Sequence, residues 1–230
     1  MKLLEEYLKK LNIPYDNTTI DKFSKYYELL IHYNKMFNLT SITEKEEVII
    51  KHFVDSLYGY QFFKKNNRVV DVGAGAGFPS IPLAIVLSDV NFTLIDSLNK
   101  RVNFLNIVKE ELNLSNVTAI HTRVEDFCSK NRNTFDISTA RAVASLPTLL
   151  EYLIPLLKVN GKAICYKSLN VENEIAMCDN AFKKLYCKLE NKYDYNIEDN
   201  FRSIVIVKSI KECNKCYPRS GNKPKTKPLL

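Results

Sequence analysis

The sequence lacks the features that mark several classes of protein. No apolar run approaches the roughly 18 residues that a membrane-spanning helix needs, and Met1–Lys10 lacks the apolar core of a signal peptide. We therefore expect a cytoplasmic protein without a membrane partner. The six cysteines are mostly embedded in apolar segments, which is typical of buried thiols in a reducing compartment rather than of a disulfide framework.

A complete metal site is also missing. Cys213 and Cys216 have the spacing of zinc ligands, but no second cysteine pair and no nearby histidine completes the four ligands of a structural zinc site. We expect no metal. The sequence contains no internal repeat and no linker that would split it, and its 230 residues, 46% of them hydrophobic, suffice for one sizeable α/β domain.

The hydrophobic pattern changes near residue 68. The first sixty residues predict helices, one with a starting cap at Thr18-x-x-Asp21 and another with a capping box formed by Thr43 and Glu46. From Arg68 onward, strand-like and helix-like segments alternate, which is typical of a parallel sheet covered on both faces. The predicted strands are 68–72, 91–96, 117–121, 135–140, 161–167, 185–193 and 202–209, and the predicted helices are 79–87, 98–112, 145–157 and 170–184.

The end of this pattern departs from strict alternation. Because no helix separates the last two predicted strands, we expect them to form a hairpin that places one antiparallel strand in the sheet. The predicted organisation is a helical N-terminal cap over 1–60 packed on the same domain, a main α/β domain over 61–212 and a basic tail over 213–230.

Positive charge is concentrated at the C-terminal end. Seven lysines and arginines against one glutamate between Lys208 and Leu230 supply +6 of the net charge of +7. A tail rich in lysine, proline and glycine cannot form a core of its own, so two interpretations remain open. One is a disordered, solubilising end, and the other is an arm that binds phosphate groups.

Three glycines follow directly after the first predicted strand. Gly73, Gly75 and Gly77 succeed the β-branched run 69–72, and glycine lets backbone approach a ligand closely. Pro79 and Pro82 stand where the next helix begins, a position that tolerates proline because the N–H groups of the first turn have no partner within the helix. Strand, glycine turn and helix start together predict a loop for a nucleotide-type cofactor. A tight turn without a ligand is the alternative.

Polar side chains follow the next predicted strands. Asp96 ends strand 91–96, Glu125 follows strand 117–121, and Arg141 follows strand 135–140. Ligands of open α/β sheets bind at the carboxyl ends of the strands, where Asp96 could accept hydrogen bonds from ribose hydroxyls. The carboxylate of Glu125 could lie near an adenine amine.

The spacing of the glycines distinguishes between cofactors. Dinucleotide loops prefer G-x-G-x-x-G and aim a helix N-terminus at pyrophosphate, whereas this loop reads G-x-G-x-G and its prolines remove N–H donors from the first helical turn. A cofactor without phosphate, S-adenosylmethionine, therefore fits better. An NAD-dependent oxidoreductase and a non-catalytic RNA-binding protein with the same fold remain alternatives, as does a small-molecule methyltransferase.

Several sequence blocks resemble the ribosomal RNA small subunit methyltransferase G family, also called glucose-inhibited division protein B. The blocks are Tyr33–Thr40, Lys51–Leu57, Asp71–Pro79, Asp96–Arg101, Arg123–Glu125, Ala140–Ala144, Tyr217–Arg219 and Lys227–Leu229. They occur in order over nearly the whole chain. Ser80 and Ser168 depart from the family pattern, which usually has glycine at both positions.

This resemblance implies a fold, a reaction and a partner. The fold would be that of a class I S-adenosylmethionine-dependent methyltransferase: a Rossmann-like, seven-stranded, mostly parallel sheet with an antiparallel last strand and an N-terminal helical extension. The reaction would transfer the methyl group of S-adenosylmethionine to N7 of a guanine in the 530 loop of 16S rRNA, leaving S-adenosylhomocysteine. The partner would be 16S rRNA, in the small subunit or an assembly intermediate, and we expect a monomer.

The resemblance also implies roles for matched residues. Gly73 and Phe78 would contact the cofactor, Asp96 its ribose, Val124 and Glu125 its adenine, and Arg141 its methyl-donor end. Gly75, Gly77 and Ser97 belong to the same expected cofactor site. The expected RNA contacts are Asn38, Lys215, Arg219, Lys223, Lys225 and Lys227.

Guanine N7 carries a lone pair and no proton, so its methylation needs no general base. The sequence offers no obvious one: His32, His52 and His121 are interpreted as structural. The Asn/Asp-Pro-Pro-Tyr motif associated with methylation of exocyclic amines is missing. Catalysis should then depend mainly on alignment of the two reactants, with Arg141 orienting either the donor or the guanine edge. An ion pair with a carboxylate is the alternative role for Arg141.

Overall fold

The structure is a computed structural model that describes residues 1–168 and 171–230. A π-helix spans Ile49–Val54 and 3-10 turns span Tyr60–Phe62 and Ile154–Leu156. The α-helices and β-strands run in the following order. They are α1 (Lys2–Lys10), α2 (Asn17–Phe37), α3 (Lys45–Val48), α4 (Asp55–Leu57), β1 (Arg68–Val72), α5 (Ser80–Val86), β2 (Asn91–Asp96), α6 (Asn99–Glu111), β3 (Val117–His121), α7 (Val124–Asn131), β4 (Phe135–Arg141), α8 (Leu146–Leu153), β5 (Leu157–Lys167), α9 (Val171–Ala176), α10 (Asp179–Leu185), β6 (Cys187–Ile197), β7 (Asn200–Ser209) and α11 (Lys223–Thr226).

The strands form one seven-stranded sheet in the order β3-β2-β1-β4-β5-β7-β6. The described chain divides into two compact units, residues 1–67 with 74–121 and residues 68–73 with 122–230. The predicted division into 1–60, 61–212 and 213–230 stays a prediction. No helix within the described residues is both long and apolar enough to cross a membrane.

The first unit surrounds a cluster of aromatic side chains. Asp16 caps α2 by accepting the Thr19 N–H, with a 2.8 Å separation. One face of α2 then buries Phe23 and Tyr26, whose rings lie 5.2 and 5.3 Å from the ring of Phe53. Strands β2 and β3 pair in parallel, and α6 packs on both. Burial of these large rings stabilises the packing of the N-terminal helices.

The second unit contains the other five strands. β1 pairs in parallel with β4, and β4 with β5, whereas β7 runs antiparallel to both β5 and β6. β6 and β7 form the predicted hairpin, closed by the two-residue loop Glu198–Asp199. The expectation of a mostly parallel seven-stranded sheet with an antiparallel last strand, preceded by N-terminal helices, is confirmed.

Several predicted boundaries are wrong for identifiable reasons. The helix predicted over 145–157 ends earlier, as α8 followed by a 3-10 turn at Ile154–Leu156, and β5 starts at Leu157 opposite Phe135 through a register shift. β6 continues past residue 193 because Ser203 on β7 donates to Asp194 across the hairpin, at 2.6 Å. The helix predicted over 170–184 is two helices, α9 and α10, broken where the Cys178 N–H bonds to the Ile175 carbonyl. Residue 170 lies outside the described residues.

Both predicted caps are also wrong. Thr18 lies inside α2, and Asp16 supplies the cap, because its carboxylate and Thr19 form the reciprocal capping box. Thr43 forms no capping box with Glu46, since α3 begins after Glu44 without a side-chain cap. The carbonyl of Thr43 instead accepts the Tyr27 hydroxyl at 3.2 Å. Helix α7 was not predicted; the residues Val124–Asp126, interpreted as a loop, form its first turn.

Candidate functional site

In the first unit, the glycine loop is joined to Asp96. The N–H of Gly75 donates to Asp96 Oδ2 at 2.9 Å, and the N–H of Leu98 donates to Oδ1 at the same distance. Arg101 Nη1 lies 3.3 Å from Oδ2 and balances the charge. The carboxylate is 3% exposed. Because a carboxylate has about four acceptor positions, these donors fix its orientation and leave Oδ1 able to accept one further hydrogen bond.

The back of the same loop is tightly packed. Gly77 has φ +101°, and a Cβ there would lie 2.5 Å from Cγ1 of Ile81 and 2.9 Å from the Tyr26 hydroxyl. That hydroxyl donates to the Ala76 carbonyl at 2.6 Å in a buried bond. Gly77 therefore has a packing reason to be glycine, and its contact with a cofactor stays a prediction. Ser97, one residue beyond Asp96, is exposed.

Phe78 connects this loop to the N-terminal helices. Its ring stacks on the His52 imidazole with centroids 4.5 Å apart, and His52 Nε2 lies 2.9 Å from Thr40 Oγ1. Sequence reasoning gave His52 a structural role without finding these partners. The signal was present, because His52 and Thr40 both lie in the blocks that resemble the family.

Asn38 ends α2 in the left-handed conformation, with φ 51°, and is exposed. The side chain of Asn34 fixes the residues that follow: its Oδ1 accepts the N–H groups of Leu39 and Thr40, and its Nδ2 donates to the Thr40 carbonyl. Sequence reasoning missed Asn34, although an asparagine at both positions 34 and 38 of a helix end is a recognisable turn signal. The turn presents Asn38 to solvent.

The other predicted cofactor residues, Gly73, Val124, Glu125 and Arg141, lie in the second unit. Gly73 packs against Val143, since a Cβ at Gly73 would lie 3.0 Å from Val143 Cγ2. Val124 and Glu125 start α7, and Arg141 is the last residue of β4. All three side chains are half-buried.

A partly buried ion pair holds the loop that follows Arg141. Lys167 Nζ lies 2.7 Å from Glu174 Oε2 and donates to the Ala144 carbonyl at 3.1 Å. Glu174 also accepts the N–H of Leu146. Sequence reasoning missed this pair, because Lys167 and Glu174 belong to different elements and nothing local in the sequence links them.

The surroundings of Tyr152 and His121 bear on the protonation and hydrogen bonding of these two side chains. Burial, together with the charges of Glu125 and Glu151, raises the pKa of Tyr152 to about 12. Nε2 of His121 lies 3.0 Å from the carbonyl of Ser97. Tyr152 is therefore protonated at neutral pH.

Four of the five predicted basic RNA contacts are exposed lysines: Lys215, Lys223, Lys225 and Lys227. The fifth, Arg219, binds a carboxylate of the protein itself. Its Nε and Nη2 donate to Oε1 and Oε2 of Glu151 at 2.9 and 2.7 Å, and its backbone N–H donates to Oε1 at 2.8 Å. The guanidinium of Arg219 thus pairs with a fully buried carboxylate, and the predicted contacts with RNA phosphates rest on the four lysines.

Cys213 is buried and Cys216 is exposed. Burial raises the pKa of the Cys213 thiol to about 12. Across residues 1–168 and 171–230, no three or more histidine, cysteine, aspartate and glutamate side chains are grouped as metal ligands would be.

Residues 19–200 match the family model GidB, rRNA small subunit methyltransferase G. The Ribosomal RNA small subunit methyltransferase G of Clostridium botulinum (strain Eklund 17B / Type B) is 47% identical over 215 residues, which cover 91% of this chain and 90% of that protein. The protein of the same name from Clostridium perfringens (strain 13 / Type A) is 42% identical over 233 residues, covering 99% and 98%.

Solved structures at lower identity share the fold. TYW2 of M. jannaschii, solved in complex with AdoMet, aligns with a TM-score of 0.57 at 18% identity over 73% of this chain and 77% of that one. The predicted class I methyltransferase fold is confirmed.

Proposed function

The chain belongs to the rRNA small subunit methyltransferase G family, and on this premise we propose that it methylates N7 of a guanine in the 530 loop of 16S rRNA. S-adenosylmethionine is the methyl donor and S-adenosylhomocysteine the product. The substrate is 16S rRNA in the small subunit or in an assembly intermediate.

The hydrogen bond from Gly75 to Asp96, 2.9 Å long, carries the assignment of the cofactor. It ties the glycine loop to a buried carboxylate that retains one acceptor position, and a ribose hydroxyl can use that position. Phe78, fixed by its stack on His52, contributes an apolar contact beside the loop. These residues of the first unit fit an adenosine-type ligand without a phosphate.

The family resemblance assigns further cofactor contacts to residues of the second unit. Gly73 keeps the backbone close to the ligand, Val124 and Glu125 contact the adenine, and Arg141 lies at the methyl-donor end. The pair Lys167–Glu174 fixes the loop after Arg141 through the Ala144 carbonyl and the Leu146 N–H. Arg141 thus ends a strand and precedes a loop that is held in place.

The chemistry needs alignment and no proton transfer by a side chain. When bound, S-adenosylmethionine supplies an electrophilic sulfonium methyl group. Because guanine N7 has a free lone pair and no proton, the chain has to bind and orient the base and the donor. Alignment of two reactants contributes on the order of 7–11 kcal/mol. A guanidinium pairs well with the O6/N7 edge of guanine, so Arg141 orients either the base or the donor.

Binding of the RNA is proposed to involve Asn38 and the exposed lysines Lys215, Lys223, Lys225 and Lys227. Lysines that neutralise phosphates make binding strongly dependent on salt. Replacing Lys223, Lys225 and Lys227 with glutamine should lower the slope of log K against log salt by about 3 in magnitude, and should leave the affinity for the cofactor unchanged.

One experiment tests the reaction and the cofactor site together. The protein is incubated with isotope-labelled S-adenosylmethionine and small subunits that lack the modification, and the nucleosides of the 16S rRNA are then separated. We expect labelled N7-methylguanosine, and an affinity for S-adenosylmethionine about tenfold lower in Asp96→Asn, which loses a charged acceptor. Asp89→Asn, at a surface pair with Lys65, is the matched control. Calorimetric binding of NADH in place of S-adenosylmethionine would refute the proposal.

A further inference from the structure

The last residues of the chain are held against the second unit by three anchors. We call residues 213–230 the C-terminal segment. At its start, the Arg132 guanidinium donates to the carbonyls of Cys213, Asn214 and Tyr217. In its middle, Arg219 binds Glu151. Near its end, Thr148 Oγ1 donates to the Pro224 carbonyl at 2.9 Å. The segment is therefore a docked element, which rules out the interpretation as a disordered end.

The path of the segment leads toward the proposed site. Arg132 follows α7 and precedes β4, at the amino end of that strand. Thr148 lies in the first turn of α8, which starts after a four-residue loop at the carboxyl end of β4. The segment thus runs from the amino end of β4 toward its carboxyl end. Helix α11, with Lys223 and Lys225, lies beside the first turn of α8, close in sequence to Arg141.

A contribution to stability does not explain the central anchor, the pair of Arg219 and Glu151. Glu151 is 0% exposed, and burying a charged pair stabilises a protein no better than apolar residues of the same size. Its geometry, however, is specific, because both carboxylate oxygens and the backbone N–H of Arg219 are used at once. The three bonds are satisfied together in only one register of the segment. The pair therefore defines the position of the C-terminal segment.

We propose that Glu151 is a positioning residue for the RNA substrate: through Arg219 it fixes the register of the C-terminal segment, and so the place of Lys223, Lys225 and Lys227 beside the carboxyl end of β4. Glu151 touches neither RNA nor cofactor. This inference rests on the proposed function, since it assigns a substrate-binding task to the segment.

The direction in which Glu151→Gln changes KM for small subunits distinguishes a positioning role of Glu151 from an effect of its charge alone. Glu151→Gln removes a negative charge from an RNA-binding protein, and charge alone would strengthen its attraction to phosphate. Positioning predicts the opposite. We expect Glu151→Gln to raise KM for small subunits about tenfold, the size of effect of losing one charge-assisted hydrogen bond. We expect kcat and the Kd for S-adenosylmethionine to stay unchanged.

Two controls isolate the effect. Asp136→Asn removes the charge of a partly buried carboxylate, which accepts the Arg68 N–H and pairs with Lys158. Because these partners lie outside the C-terminal segment, the variant measures general destabilisation. The triple variant Lys223→Gln, Lys225→Gln, Lys227→Gln removes the groups that Glu151 is proposed to position. In that background Glu151→Gln should change KM by less than about twofold, because the effects of substitutions at coupled sites are not additive.

Docking itself is read out by limited digestion with trypsin after Arg219 and Lys225. Glu151→Gln should speed both cleavages. The proposal is overturned if KM falls or is unchanged in Glu151→Gln, if Asp136→Asn raises KM equally, or if the triple background leaves the effect intact. A wild-type protein that transfers no methyl group would instead refute the proposed function, and the digestion would still report docking.

Discussion

The glycine loop and the C-terminal segment are held in place by different kinds of contact. The loop is fixed by close packing behind Gly77, where no space is left for a Cβ, and by bonds from its backbone to the buried side chains of Asp96 and Tyr26. The segment is fixed by side chains far away in sequence, chiefly Glu151 and Arg132. An added atom should therefore destabilise the loop most, whereas the removal of a binding partner should destabilise the docking of the segment most.

The largest effect is expected in the loop. Gly77→Ala places a Cβ against Ile81, Tyr26 and Leu105 at a φ of +101°, and overpacking with backbone strain should cost about 3 kcal/mol. Gly221→Ala is the matched control in the C-terminal segment, since Gly221 also has a positive φ but no atom within 4 Å of its Cβ position. It should cost about 1 kcal/mol. Urea unfolding measures both, and equal losses would contradict the packing argument.

The next effect concerns the segment. Arg219→Met leaves Glu151 buried without its charged partner, which should lower the free energy of unfolding by about 2 kcal/mol. The double variant Glu151→Gln, Arg219→Met removes the uncompensated charge and should recover part of this loss. Thermal and urea unfolding compare the two. A double variant at least as unstable as the single one would show that the ion pair does not anchor the segment.

A smaller difference in stability is expected between the loss of a buried hydrogen bond behind the loop and the loss of an exposed hydrogen bond from the same helix. Tyr26→Phe removes the buried bond to the Ala76 carbonyl and should cost about 1 kcal/mol, with weaker binding of S-adenosylmethionine. Tyr27→Phe removes an exposed bond to the Thr43 carbonyl and should cost less than about 0.5 kcal/mol. If both variants bound the cofactor equally well, the support of the loop by α2 would be unimportant for binding.

The smallest expected signal is a difference in thiol reactivity. Burial raises the pKa of Cys165, Cys178 and Cys213 to about 12, so their reactive thiolates are scarce at pH 8 and reach appreciable amounts only near that pKa. Iodoacetamide at pH 8 should modify the exposed Cys216 and leave the five buried cysteines intact. Modification of Cys213 at a rate close to that of Cys216 would mean that the segment is not docked at its start.

The same comparison explains what could be predicted from sequence. The strands 68–72, 91–96 and 117–121 match the structure at both ends, because β-branched runs bounded by turn residues are a local signal. Asp96 could be placed near the glycine loop because both follow neighbouring strands. The contact between Glu151 and Arg219 could not be predicted: the two residues are 68 positions apart, and the composition of residues 213–230 suggested disorder or a free arm.

Packing partners were missed for the same reason. No sequence pattern singled out Tyr26, and nothing local in the sequence shows that its hydroxyl reaches Ala76. Arg132 carried no motif, although it binds three carbonyl groups of the C-terminal segment. Periodicity shows which face of a helix is buried, and only the fold shows which polar groups meet there.

The most direct test is to map N7-methylguanosine along 16S rRNA. Small subunits lacking the modification are incubated with the protein and S-adenosylmethionine, and the rRNA is cleaved at N7-methylated guanines and sequenced. The account predicts one new cleavage, in the 530 loop, that requires both the protein and the methyl donor. No new cleavage, or one only outside that loop, would contradict it.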